Sequence, residues 1–269
     1  MLFGRRGRVK GPLSKRMDAP IQNSERPLRA WFEQAGRGAL DFLFPPTCLV
    51  CRAAVAQTDA LCGACWGGMR FIERPFCDRL GTPFEHEMGE GVLSAKAVDD
   101  PPVFARARAV VCFEEGPARR LVHRLKYSDR MELARPMGQW MARAGRDILA
   151  EADVLAPVPL HVTRLWRRQF NQAAALGRAV SQTCGKPMNL GLVERSRATR
   201  PQVGLTRAER AVNLQGAFRC PETAEVKGRR IVLVDDVLTS GATANAAARA
   251  LLKQGAKAVD VLVFARVAK

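Results

Sequence analysis

The stretch Ile231-Val-Leu-Val-Asp-Asp-Val-Leu-Thr-Ser-Gly-Ala-Thr243 decides the fold. Its first four residues are β-branched or leucine and lie between Arg229-Arg230 and Asp235-Asp236, the pattern of a central parallel strand buried on both faces. Open α/β sheets bind ligands beyond the carboxyl ends of such strands. At that end Asp235 and Asp236 offer acceptors for a vicinal diol. Thr239, Ser240, Gly241, Ala242 and Thr243 follow with hydroxyls and closely approachable backbone N–H groups at the start of the next helix, where a phosphate fits. If the turn folds back, one ribose 5-phosphate bridges acids and loop. The plainer alternative is an ordinary strand whose end is solvated by two acids and whose Thr-Ser-Gly caps a helix.

Outward from this stretch the chain alternates. Apolar patterning predicts a strand over 104–113, helices over 116–125 and 131–146, a short strand over 154–158 and a helix over 162–182. An Arg- and Gln-rich segment over 195–215 reads as a mobile hood. An Ala-rich helix over 243–252 and a last strand over 258–264 complete an α/β pattern with a parallel sheet flanked by helices. Residues 1–27 are basic, rich in Gly, Pro and Ser, and read as a disordered tail. Leu28, Trp31, Phe32, Ala35, Ala39, Leu40 and Leu43 recur at helical spacing before Pro45-Pro46. The organisation expected is a tail over 1–27, a helix, cysteine module and connector over 28–102, and the α/β domain over 103–269.

Of 269 residues, 43 are Lys or Arg and 26 Asp or Glu, a formal net charge of +17. Anionic partners follow, and a polyphosphorylated sugar satisfies that as well as nucleic acid does. No apolar run approaches the roughly 18 residues of a membrane span, and Arg5-Arg6 lacks the apolar region of an export signal, so a cytoplasmic protein without membrane insertion is expected.

Four of the eight cysteines form Cys48-x-x-Cys51 and Cys62-x-x-Cys65. Thiolates at i and i+3 converge on one tetrahedral ion when a knuckle turn aims both inward, and two such pairs supply four-thiolate coordination. Structural zinc is the expected occupant, an iron–sulfur site or free thiols being the alternatives. Four thiolates leave no open position for catalysis. Cys77 stands where a further Cys-x-x-Cys-Gly is expected, with Leu80 in place of the second thiol, and is a relic, a spare ligand or a substitute for one of the four. Cys112 reads as a buried small hydrophobe.

Residues 231–243 resemble the 5-phosphoribosyl 1-pyrophosphate (PRPP) signature of type I phosphoribosyltransferases. With the cysteine module, with Leu125-Lys126-Tyr127, Pro157-Val158-Pro159-Leu160-His161 and Arg168-Gln169-Phe170-Asn171-Gln172, and with Gln202 and the run Glu209-Arg210 to Asn213 and Phe218, the chain is similar to the ComF family of predicted phosphoribosyltransferases over roughly residues 45–266. Gln169, in place of a usual Gly, and Leu80 are the departures. The resemblance implies that Asp235 and Asp236 hold the ribose diol or its Mg²⁺ shell and that Thr239 to Thr243 hold the 5-phosphate. It also implies that pyrophosphate lies near Leu160, His161, Arg164 and Arg168, with Lys126, Arg200, Arg207 and Arg210 closing over it. Each basic residue has a plainer reading as a solvated surface charge, His161 as a turn residue, and Asn171 and Asn213 as caps.

The activity so implied is Mg²⁺-dependent transfer of phosphoribose to an unidentified nitrogen acceptor. Threonine at 239, where some purine-specific relatives carry an acid, argues against purine salvage. The resemblance equally allows a non-catalytic PRPP-responsive factor or single-stranded-DNA handling in DNA uptake, or docking of a helicase or recombination mediator on the zinc module. With 6% aromatic residues, a broad base-stacking platform is not evident.

Overall fold

The computed structural model describes residues 45–127, 130–160, 170–197, 209, 213, 214 and 216–268. The basic tail and the helix expected over 28–44 lie outside them. Pro46–Lys269 form one compact unit, and Met1–Pro45 form another of which only Pro45 is described.

In chain order the elements are α1 (Gly63–Gly67), α2 (Ala95–Asp99), β1 (Ala107–Cys112), α3 (Pro117–Tyr127), a 3-10 turn (Met131–Leu133), α4 (Ala134–Ala144), α5 (Arg146–Glu151), β2 (Val154–Pro157) and α6 (Gln172–Cys184). The short strands β3 (Glu194–Arg195) and β4 (Phe218–Arg219) follow, then β5 (Arg230–Leu238), α7 (Ala242–Lys253) and β6 (Ala258–Arg266). Four strands make a parallel sheet in the order β1-β6-β5-β2, with Val234 paired to Leu262 on one side and Pro157 on the other. Because successive side chains alternate across a strand, Val232 and Val234 join one core with Leu262 and Phe264, while Ile231 and Leu233 join the other with Val261 and Val263. Helices α3, α4 and α6 cover the first face. Helix α7 covers the second through Ala244, Ala247, Ala248 and Leu251, small residues at helical spacing that let it lie close.

Three expected elements differ in extent. The strand through the signature does not stop at the acids: pairing with β6 continues to Leu238 opposite Arg266, so Asp235 and Asp236 lie within the strand. The helix over 131–146 is divided, ending at Gly145, where an added Cβ would sit 2.6 Å from Leu262 Cδ1. The helix expected over 162–182 is interrupted at Asn171, which is extended and whose side chain accepts from Ala173 N–H as the N-cap of α6; residues 161–169 lie outside the described residues.

The cysteine module is built into this unit. Cys48, Leu49, Val50, Cys65 and Met69 share a core with Leu121, Val122 and Leu125 of α3. Residues 70–72 lie antiparallel beside β1, with Ile72 N–H donating to Val110 O at 2.9 Å and Cys112 N–H to Arg70 O at 2.8 Å, which covers the edge of the sheet. Trp66, Trp140 and Phe264 run from module to sheet, with centroids 6.1 Å and 6.2 Å apart.

Candidate functional site

The second half of β5 carries two carboxylates into a buried environment. Asp236 is 7% exposed, and the Lys126 ammonium lies 3.0 Å from its Oδ1. Lys126 occupies the last turn of α3, so an element more than 100 residues earlier in the chain supplies the counter-charge. Asp235 accepts the N–H of Asp236 at 2.8 Å. Burial, reinforced by the adjacent Asp236 carboxylate, pushes Asp235 up to about 7, against the opposing charges of Lys126 and Arg195. Arg195 stands on the antiparallel β3–β4 pair with its guanidinium over the Phe218 ring, 5.2 Å from the centroid.

Beyond Leu238 the chain turns through Thr239, exposed, and Ser240, half-buried, to Gly241. Gly241 has φ 79° and precedes α7, a conformation that disfavours any side chain. Ala242 and Thr243 open the helix, so their N–H groups belong to its unsatisfied first turn. Asp235, Thr239, Gly241, Ala242 and Thr243 line one crevice together with Val158 from the end of β2. Val158 is held by its N–H to Val234 O and by Asn171 Nδ2, which donates to its carbonyl at 3.2 Å. The crevice thus brings together Asp235, the hydroxyl loop and the start of the 157–160 loop, where Leu160 is half-buried, while Asp236 and Lys126 pair with each other outside that lining. His161, Arg164, Arg168, Arg200, Arg207 and Arg210 lie outside the described residues.

Sequence reading missed Arg195, Arg266 and Asn245, each brought near the loop or the acids by tertiary structure. Only the Arg-rich character of the hood hinted at the first.

Asp235, the acid that lines the crevice, offers carboxylate oxygen there without a closed cage, a donor that suits a hard cation keeping most of its own ligands.

In the cysteine module the ligand atoms of Cys48, Cys51, Cys62 and Cys65 all lie within 4.8 Å of one another. The first pair is a knuckle: Cys48 N–H donates to Ala53 O, Arg52 N–H returns to Cys48 O, and Arg52 has φ 65°. The second pair differs from the expected knuckle, since Cys62 caps α1 and Cys65 lies within it, one helical turn serving to put both sulfurs on one face. Against burial, N–H groups of Cys51, Cys62 and Val50 bring Cys48 down to about 6, whereas burial and the three other sulfurs push Cys65 up to about 12. Four thiolates cannot share this space without a cation, and a divalent ion at their centre resolves the conflict.

Cys77 stands apart from the four. It is fully buried and repeats the first knuckle: Cys77 N–H donates to Thr82 O, Gly81 N–H to Cys77 O, and Gly81 has φ 63°. Its sulfur accepts from Leu80 N–H, Ser94 N–H and Ser94 Oγ, at 3.2 to 3.4 Å. Leu80, in the place of a partner thiol, is buried with Ile72, Ala97 and Phe104.

The family model for a phosphoribosyl transferase domain matches residues 173–269, and that for a double zinc ribbon domain matches residues 39–96. The chain is therefore a phosphoribosyltransferase-like α/β protein with an N-terminal, four-cysteine zinc ribbon. It is 32% identical over 228 residues to the DNA utilization protein YhgH of Escherichia coli (strain K12), covering 82% of this chain and 97% of that one. It is 28% identical over 226 residues to competence protein F of Haemophilus influenzae, covering 81% and 96%. The chain belongs to the ComF family. Among solved structures it is similar to the glutamine PRPP amidotransferase from B. subtilis, with 21% identity, 52% of this chain and 30% of that one covered, and a TM-score of 0.37. Purine phosphoribosyltransferase from Pyrococcus horikoshii gives 16% identity, 54% and 82% coverage, and a TM-score of 0.30. No helix among the described residues is long and apolar enough to cross a membrane.

Proposed function

We propose that this protein binds PRPP and transfers its phosphoribosyl group to a nitrogen acceptor with release of pyrophosphate. The observation that carries this reading is the Lys126–Asp236 ion pair, 3.0 Å long, beside the loop at the start of α7. In the proposed reaction the loop N–H groups and hydroxyls of residues 239–243 hold the 5-phosphate, and Asp235 and Asp236 orient the ribose hydroxyls. The bond from the anomeric carbon to pyrophosphate breaks as the bond to nitrogen forms. Orientation of this kind supplies a large part of the rate, and fixed charges about the developing cation supply more. Mg²⁺ bound with the substrate supplies charge neutralisation of the leaving pyrophosphate, with Asp235 and Asp236 as the residues that would hold its shell. Lys126 holds Asp236 in an ion pair and, within side-chain reach, can also meet the leaving group.

Calorimetric titration of the full chain with PRPP and Mg²⁺ tests the reading. We expect saturable binding that Asp235→Asn/Asp236→Asn weakens by at least tenfold; a wild-type protein that gives no heat with PRPP at millimolar concentration would refute it. Pyrophosphate release with ammonia and the free bases as acceptors then separates turnover from binding.

A second reading rests on a separate observation. Arg119, Arg120, His123 and Arg124 line one groove of about 410 Å³ along α3, a mostly basic face, with Glu115 paired to Arg119 at one end, of the kind a phosphate backbone follows. Together with the names of the relatives, it supports handling of single-stranded DNA under PRPP control. Anisotropy of a labelled oligonucleotide should rise at low salt, fall as salt is raised, and weaken in Arg119→Ala/Arg120→Ala. An unchanged signal at low salt excludes it.

A further inference from the structure

Behind the loop of residues 239–243 there is a second pocket, which shares Leu238, Thr239 and Gly241 with the crevice that holds Asp235. Ser240, Asn245, Arg266 and the side chains of Lys96 and Asp100 complete its polar lining. Arg266 closes β6, opposite Leu238 in one neighbouring strand and Cys112 in the other, and its carbonyl accepts Phe113 N–H at 2.6 Å. Its backbone is therefore fixed. Its side chain is only 5% exposed, and neither Nε nor Nη1 meets a hydrogen-bond acceptor among the described residues. Ser240 Oγ, in the same pocket, is likewise buried without a partner among them. Asn245 uses its Oδ1 to accept Val103 N–H at 2.8 Å, which leaves its amide NH₂ as the donor end, 3.8 Å from where a Cβ on Gly241 would lie.

A buried guanidinium without a partner is costly to fold, and buried polar groups in native proteins are almost always satisfied. Arg266 Nε and Nη1 can only donate, and Ser240 Oγ can donate too, so what these three atoms lack is an acceptor. Asp100 in the same lining and Cys77, whose sulfur is engaged by Leu80 and Ser94, are the nearby groups able to carry negative charge, and neither is bonded to Arg266 Nε or Nη1. Burial lowers Arg266 to about 10, which leaves it charged at neutral pH. An oxyanion at the start of α7 would satisfy the fork, the hydroxyl and the helix terminus at once.

We infer that Arg266 is a phosphate-binding residue, a side-chain cation that meets the phosphate of the ligand from behind the 239–243 loop. The inference rests on the reading of that loop as a sugar-phosphate site and adds to it a residue from outside the signature.

The test uses the full chain as wild type, Arg266→Met, Arg266→Lys and Asp235→Asn, with inorganic phosphate, ribose 5-phosphate and PRPP with Mg²⁺ as probes. Loss of a charged hydrogen-bonding group predicts affinity for inorganic phosphate and ribose 5-phosphate about 10- to 100-fold weaker in Arg266→Met. Without phosphate, the same variant should melt at or above the wild-type temperature, because an unpaired buried charge has been removed. A merely structural arginine predicts the reverse: a lower melting temperature with the phosphate response intact, or an Arg266→Met that fails to fold while Arg266→Lys folds and binds phosphate no better than an apolar residue would allow. Either result overturns the proposal. If Asp235→Asn loses PRPP while Arg266→Met keeps it, the sugar-phosphate reading stands and the role of Arg266 falls. If the wild type answers to inorganic phosphate through Arg266 but to neither sugar phosphate, the anion seat stands and the PRPP reading falls. A wild type that answers to no probe removes both.

Discussion

Protonation of Asp235 should set the pH dependence of PRPP binding. Burial and the neighbouring Asp236 carboxylate raise Asp235 from 3.8 to about 7, and it is the carboxylate that can accept ribose hydroxyls or the Mg²⁺ shell. With a midpoint near 7, each further unit of acid lowers affinity about tenfold, or about 1.4 kcal/mol, so binding at pH 5 should be roughly a hundredfold weaker than at pH 8. The phosphates of the ligand titrate near pH 6 as well. Asp235→Asn supplies the baseline, weak binding whose residual slope belongs to the ligand alone. The midpoint should fall in Asp236→Asn, which removes the like charge, and rise in Lys126→Met, which removes an opposing one. The stability of the unliganded protein carries the opposite sign. An acid whose folded value is raised contributes stability that is present below its unfolded value near 4 and lost as pH rises through 7. Asp235→Asn should therefore melt above wild type at pH 8, and the gap should narrow through pH 5 and close only below about pH 4. Titration calorimetry between pH 5 and 8 reads the first effect and scanning calorimetry the second. Wild-type affinity that parallels Asp235→Asn across this range would refute the reasoning, as would midpoints that move in the reverse order.

Lys126→Met leaves Asp236, 7% exposed, without its cation and should cost about 1–3 kcal/mol of stability in urea at pH 8. Gly138→Ala places a Cβ 2.4 Å from Ala179 Cβ between α4 and α6, and overpacking should destabilise the fold by about 1–3 kcal/mol without altering the pH midpoint of PRPP binding. Metal analysis should find one zinc per chain. Its removal by a strong chelator should lower the melting temperature of the entire 46–268 unit in one transition, because Leu49, Val50, Cys48 and Cys65 share a core with α3. PRPP affinity should fall several-fold with it, since Arg124 donates to Leu49 O at 2.8 Å two residues before Lys126.

What could be read from sequence was what a local pattern encodes. The strand of β5, the acids and the small-residue loop lie within thirteen consecutive residues, and each leaves its own mark: apolar continuity, charge at a strand end, a glycine where φ is positive. Lys126 was legible only through the likeness of its Leu-Lys-Tyr element to a family. Arg195 and Arg266 were not legible, because an arginine on a hairpin or at a strand end has the same local pattern whether it meets solvent or a buried site. The interruption at Asn171 had a readable signal in the capping residue itself, but the apolar residues around it kept helical spacing and outweighed it.

The cysteine module shows how far a pattern can decay while its backbone persists. Around Cys77 the turn keeps the hydrogen bonds and the positive φ of the knuckle around Cys48, although Leu80 has taken the place of a thiol. A metal knuckle is held by its ion, so loss of a ligand would free the loop unless another force replaced it. Here Leu80, Ile72, Ala97 and Phe104 pack about Cys77, and Ser94 and Leu80 N–H groups satisfy its sulfur. Apolar burial has taken over from coordination in the second half of the double ribbon, while four thiols remain in the first. The consequence reaches the candidate site, because Phe104 and Leu80 also wall the pocket behind the phosphate loop. A second metal there would place a further cation near Arg266; an apolar knuckle instead spares that arginine a like charge beside the pocket.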